Sequence, residues 1–358
     1  MSETASHCLI VPVWGPAFTQ LCIDFMLPSL LAPGNLDGTV GQSPVLAFAC
    51  PSKTRTALLA SPVLRALQQH ARVEFIDISD LLADQANKYR AMTDSIYRAI
   101  SSDFVKPKQT ALVFLNPDVI CGIGMLATID RAMAEGKRAV MVPGMRTRAE
   151  QAHALQGQHQ QGLSLAVPSE DLGAFAVDAL HPLDQAYLWE EGQFPVHWPS
   201  KAMFRTPDGG IGLHSFYLHP LAILCPDPMP KSLDTIDGTF LQECGLHAND
   251  IFVSRDTRDI VVIELSETPD QVGLATGRPS RKRMAEFAVR YVSDIHWDLF
   301  DNYISYTAVG TERPPALDRL YRYVRAHRPR RSIARRWPRF DRRILSHVFH
   351  VIASVKAR

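Results

Sequence analysis

The stretch Ala111-Leu-Val-Phe-Leu-Asn-Pro-Asp-Val-Ile-Cys121 decides how the chain is read. An unbroken apolar run, Ala111 to Leu115, stops at Asn116-Pro117-Asp118, and apolar residues resume at Val119. A run of this kind predicts a strand buried on both faces, as in a parallel sheet. Ligands of open α/β sheets bind beyond the carboxyl ends of the strands. Asp118 is therefore delivered where a metal or a polar substrate would sit. A simple Asn-Pro-Asp turn accounts for the same residues, because Asn and Asp both favour turns.

Working toward the N-terminus, the same alternation repeats. Cys8 to Val13 reads as a strand closed by Trp14-Gly15-Pro16, followed by a helix from about Ala17 to Leu31 that ends before Ala32-Pro33-Gly34-Asn35. Val45 to Cys50 is a second strand, and Ser52 opens a helix ending near His70. Val73 to Ile78 is a third, with a helical region from Ser79 or Asp80 to about Ile100. Beyond the opening stretch come a helix from Met125 to Ala134 and a strand from Arg138 to Val142. Residues 8–144 thus predict a mostly parallel sheet with helices on both faces. The middle is richer in strands: Lys201 to Arg205 and Ile211 to Leu218 flank Pro207-Asp-Gly-Gly210 as a hairpin, and Ile251 to Ser254 and Ile260 to Leu265 follow. After about Pro279 the pattern is helical.

Composition excludes several classes. The chain has 358 residues, 46% hydrophobic and 21% charged, with a net charge of +1, so global charge selects no partner. Six scattered cysteines without a C-x-x-C pair argue against a zinc knuckle or a disulfide framework, and a reducing cytoplasm is the expected location. The polar start, Met1 to His7, does not read as a signal peptide. No apolar stretch approaches the roughly 20 residues that cross a bilayer. There is no G-x-G-x-x-G after the first strand, no P-loop and no G-x-S-x-G elbow.

The order of motifs resembles the GT-A glycosyltransferases, the nucleotide-diphosphosugar transferase fold. Three stretches carry the resemblance: the strand-to-turn Val11-Pro-Val-Trp-Gly15, the helix that begins with Lys88 and carries Ala91 and Tyr97, and Phe114-Leu-Asn-Pro-Asp118, which looks like a Leu-Asn-Pro-Asp variant of the Asp-x-Asp motif. The resemblance implies an α/β, Rossmann-like catalytic domain over 1–270, with a nucleotide-binding half at 8–144 and an acceptor half at 145–270. A helical, arginine-rich extension, 271–358, would follow. It also implies a hexosyltransferase-type activity, moving a sugar from a nucleotide-sugar donor to a polysaccharide or lipid-linked acceptor.

Site residues follow from that reading. Departure of a diphosphate is assisted by a divalent cation, Mn or Mg, or by basic side chains. Asp118 is the leading metal ligand, with His219 second and His214, on the same predicted strand but facing away, a weaker candidate. Asn116 stands where the motif has its first acid, so the metal is held with help from elsewhere or is not used. Asp237, with Asp234 behind it, is the candidate base for the acceptor hydroxyl; a turn or helix cap explains the two acids equally well. Trp14 is placed to stack on a base, and Lys53 and Lys88 to reach donor phosphates. Surface or core roles account for each of these three as well.

From Asp318 onward arginines abound, and the only acids are Asp318 and Asp341. Arg319, Arg322 and Arg325 and the arginines beyond them predict attachment to an anionic membrane surface, peripheral on the inner face; packed helices with a solvated basic face are the plain alternative. Nucleic acid is disfavoured, as no RNA-binding module is present. The competing function is a non-catalytic binding protein on the same fold. A nucleotidyltransferase is a third, weakened by the lack of a Gly-rich basic loop at the N-terminus.

Overall fold

A computed structural model describes residues 6–36, 44–83, 88–230, 235–268, 275–306 and 313–329. In chain order, β1 (Ser6–Pro12) leads into α1 (Pro16–Leu21) and α2 (Leu27–Leu30), joined by one π-helical stretch, Cys22–Met26. Next come β2 (Val45–Ala49), α3 (Ser52–Ala60), α4 (Pro62–Leu67), β3 (Arg72–Ile76), α5 (Ser79–Ala83) and α6 (Lys88–Ile100). Then follow β4 (Thr110–Phe114), β5 (Val119–Cys121), α7 (Met125–Ala134), β6 (Ala139–Val142) and β7 (Met145–Arg148).

The middle carries α8 (His153–His159), a short ladder of β8 (Gln160–Gln161) and β9 (Ser164–Leu165), α9 (Ser169–Asp178), α10 (Pro182–Gln185) and β10 (Phe194–Pro195). The strands β11 (Lys201–Arg205), β12 (Ile211–Ser215) and β13 (His219–Leu224) precede α11 (Thr239–Glu243), β14 (Ile251–Val253), β15 (Val262–Ser266) and β16 (Thr276–Gly277). The last elements are α12 (Arg281–Tyr291), α13 (Asp294–Phe300), β17 (Ile304–Tyr306) and α14 (Pro315–Ala326).

The central sheet has seven strands in the order β14-β6-β13-β4-β1-β2-β3. Every neighbouring pair is parallel except those made by β13, which runs antiparallel to both β4 and β6. Alternate residues feed opposite faces. Cys8, Ile10, Leu112, Phe114 and Met141 join one core with Ile96 and Ile100 of α6. Leu9, Val11, Val113, Val140 and Val142 join another with Leu27 and Leu30 of α2, Leu64 of α4 and Ile129 of α7. Burial on both faces is why these strands read as continuous apolar runs.

Three expectations need correction. The predicted strand Ile211 to Leu218 ends at Ser215, and a separate strand, β13, enters the central sheet. Pro220 is tolerated there because the register of β13 against β6 shifts between Pro220 and Ala222, and a bulge needs no ladder N–H at that point. His214 and His219 therefore lie in different sheets. The predicted helix Ser52 to His70 is broken at Ser61-Pro62, since Pro62 cannot continue α3 and instead starts α4. The region after Pro279 is not wholly helical, because β17 pairs with β12.

A third core joins β11 and β12 to the C-terminal helices. Ala202, Phe204 and Phe216 pack with Met284, Phe287, Trp297, Phe300, Leu317, Leu320 and Val324. His214 is buried beside it: its Nδ1 donates to the Phe300 carbonyl (2.8 Å) and its ring stacks on Tyr321 of α14 at 4.5 Å. The arginines of α14 are largely used internally. Arg325 pairs with Asp301 at 2.6 Å, Arg328 with Asp298 at 2.7 Å, and Arg322 with Asp318. Arg325, and Arg328 just past the end of α14, tie the helix to α13 and its end, whereas the Arg322 pair lies within α14; Arg319 is exposed, and the arginines beyond Pro329 lie outside the described residues. Among the described residues, no helix is long and apolar enough to cross a membrane.

Candidate functional site

Because β1, β2 and β4 are parallel neighbours, their carboxyl ends share one edge of the sheet. Trp14 lies just past the end of β1, half-buried, beside Gly15 at φ 81°, a conformation that favours glycine. Lys53 is exposed in the first turn of α3, directly after β2. Asn116, half-buried, and Asp118, buried, form the turn after β4. That turn is pinned from outside, since the backbone N–H of Leu265 donates to the Asp118 carbonyl at 2.7 Å. The π-helical stretch packs close by, and the Asp118 carboxylate joins burial and Cys50 in pushing the Cys22 thiol upward. Lys88 is the first residue of α6, with its side chain outside the described set, and Asp234 lies outside the described residues altogether.

The reversed direction of β13 brings its first residue, His219, to this same edge, opposite Val142 at the end of β6. Its Nε2 lies 2.9 Å from the Phe114 carbonyl. A carbonyl only accepts, so Nε2 carries the proton and Nδ1 the lone pair. Burial holds the imidazole pKa below its ordinary value, against the opposing effects of the Phe114 carbonyl, Asp237 and Glu264. A neutral ring with one nitrogen oriented by a backbone carbonyl is the form in which histidine binds metals.

Asp237 sits half-buried in the turn before α11. Its backbone carbonyl accepts from His296 Nε2 at 2.7 Å, and Ser293 Oγ holds His296 Nδ1 at 2.6 Å. The charge of Asp237 is felt by His219, His296 and Tyr217 alike, which places these four groups in one neighbourhood. Burial dominates the depressed pKa of His296 and the raised pKa of Tyr217.

The structure adds partners for Arg146 and neighbouring groups that the sequence did not single out. Glu264 of β15 pairs with Arg146 of β7 at 2.9 Å. Asp184 takes the backbone N–H of Arg146 at 3.0 Å and Lys201 Nζ at 2.8 Å. Pro143 accepts from Tyr306 Oη at 3.3 Å. The only sequence signal for these partners was a charge inside an otherwise apolar strand pattern, at Glu264. Pairing across distant segments is invisible without the fold.

The expected cation finds only part of a site. Among the described residues no three His, Cys, Asp or Glu side chains gather into a metal-binding group. Asp118 and His219 each remain a single candidate ligand.

No known protein-family model matches the chain, and no curated protein matches it in sequence. Among solved structures, mouse xyloside xylosyltransferase 1 in its apo form aligns at 14% identity and a TM-score of 0.28, over 44% of this chain and 59% of that one. The chain thus spans about 59% of the length of that structure. A likeness this distant carries no assignment of function. The chain has a mixed α/β fold with a mostly parallel seven-stranded sheet.

Proposed function

We propose that the protein is a glycosyltransferase that takes a nucleotide-sugar donor and transfers its sugar to a glycan or lipid-linked acceptor. One observation carries the reading. Trp14, Lys53 and the Asn116–Asp118 turn follow neighbouring parallel strands, and the single reversed strand brings His219 to the same edge, with Asp237 in its electrostatic reach. In this reading Trp14 stacks on the base and Lys53 and Lys88 meet the phosphates. Asn116 meets the diphosphate end of the donor, and Asp118 and His219 would hold a cation there where one is used. The bond between the anomeric carbon and the diphosphate oxygen breaks, and the acceptor oxygen bonds to that carbon. The acceptor proton passes to the Asp237 carboxylate, with Asp234 behind it.

The test is a thermal-shift panel of UDP-, GDP-, dTDP- and CMP-sugars, with and without manganese. Ligand at one hundred times its Kd stabilises by about 2.7 kcal/mol. One nucleotide class should shift the melting point, Asp118→Asn should lose that shift, and Asp237→Asn should keep it while losing transfer. A folded protein that no donor shifts would remove the transferase reading. The second reading, a non-catalytic binding protein, is favoured by the ion pairs that already occupy Arg146, Glu264, Asp184 and Lys201. Donor binding without transfer to any acceptor would select it.

A further inference from the structure

Beside Asp237 the chain builds a rim of aromatic rings. Trp198, Tyr217 and Tyr291 are each half-buried, whereas Phe216 and Phe287 beneath them are buried in the third core. Between ring centroids, Trp198 lies 5.5 Å from Tyr217, 6.5 Å from Tyr291 and 5.0 Å from Phe287, which it meets edge to face. The Tyr217 hydroxyl is already spent on the Tyr291 carbonyl at 3.3 Å, so Tyr217 contributes the partly exposed portion of its ring and not a phenol. Tyr217 also stands two residues before His219, and its ring is 4.5 Å from that of His296, the residue gripping Asp237. At the far side, the exposed Arg290 sets its guanidinium 5.2 Å over Tyr291.

This combination has a defined chemistry. Partly exposed, mutually braced aromatic rings present apolar surface at low entropic cost. A carboxylate at one end and a guanidinium at the other supply an acceptor and donors for hydroxyl groups. A pyranose has the matching surface, with an apolar face of C–H bonds and an equator of hydroxyls. We propose that Trp198, Tyr217 and Tyr291 form a saccharide subsite that stacks a pyranose ring with one hydroxyl directed to Asp237. The inference rests on the transferase reading and specifies its acceptor: a sugar ring, not a lipid headgroup or a protein side chain.

The ligand panel is cellobiose, maltose, lactose and N,N′-diacetylchitobiose, added to the full chain without nucleotide. Binding is read by saturation-transfer NMR and tryptophan fluorescence. At least one disaccharide should bind, Trp198→Leu and Tyr291→Leu should each weaken it about tenfold, and Trp198→Phe should retain it. Near-ultraviolet circular dichroism establishes that each variant is folded, and Tyr291→Leu serves as the probe if Trp198→Leu is not. The proposal is overturned if no disaccharide binds the folded wild-type chain, or if binding survives both leucine variants. Donor binding without saccharide binding sinks the subsite and spares the transferase reading. Saccharide binding without donor binding does the reverse and supports the binding-protein reading.

Discussion

Acid should loosen the C-terminal third of the molecule through one histidine. His214 is 1% exposed, its Nδ1–H is spent on the Phe300 carbonyl, and its Nε2 has no hydrogen-bond partner among the described residues. Protonation would place a charge and a second N–H in that buried position. Burial pushes its pKa down from 6.5 to about 4; the Phe300 and Asn302 carbonyls and Asp318 oppose the shift, and Arg313 adds to it. The folded pKa lies below the unfolded one, so the unfolded chain binds more protons between the two values. Stability is therefore fully present above about pH 6.5 and falls as the pH drops toward about 4. A gap of about 2.5 pH units, at about 1.36 kcal/mol each, amounts to roughly 3 kcal/mol. Urea unfolding between pH 7 and pH 4 compares wild type with His214→Gln, whose amide can still donate to Phe300. His219 and His296 are also shifted downward, but they contribute equally in both proteins. The variant should lose markedly less stability across the window. Parallel pH profiles in the two proteins would refute the reasoning.

Arg328 is 8% exposed and reaches Asp298, Asp301 and Asp294. Its replacement by alanine leaves partly covered carboxylates facing one another and should cost about 2 kcal/mol, seen as faster hydrogen exchange in α14. Arg322→Ala, whose side chain is 75% exposed, should change stability by less than about 0.5 kcal/mol. Gly34 has φ 72°, and a Cβ there would stand 2.9 Å from the Cα of Gly124. Gly34→Ala should therefore lower stability by about 1–3 kcal/mol, measured by chemical denaturation. All six cysteines are buried, and burial raises Cys8, Cys50, Cys121 and Cys244 to about 12. A thiol reagent should label none of the six until the protein is unfolded.

The strands β1, β2, β4 and β6 were legible because each is buried on both faces and carries a continuous apolar run, whereas β3, a partly covered edge strand, shows only as Val73-Glu-Phe-Ile76. β13 was not legible. Its His-Pro start argues against a central strand, and only the bulge at Pro220–Ala222 makes room for it. Missing that strand also misplaced His219 relative to His214. The Asn116–Asp118 turn could be found because a polar interruption in an apolar run stands out locally. The partner of Asp237 could not, since His296, held in turn by Ser293, reaches its backbone carbonyl from α13, far along the chain. Nor did the arginine pattern of α14 disclose that Asp294, Asp298 and Asp301 already receive Arg325 and Arg328.

The place of β13 between β4 and β6 fixes an order of events during synthesis. As the chain leaves the ribosome, β3, β2, β1 and β4 can pair among themselves, but β6 cannot dock on them. The strand that bridges the two parts, residues 219–224, emerges only after β7 and the whole middle region. Until then the backbone of Thr110–Phe114 has an open edge of apolar residues, the kind of edge that recruits other chains. A nascent chain halted near residue 200 would therefore present a sticky half-sheet, and successful folding depends on that edge being shielded until the reversed strand arrives.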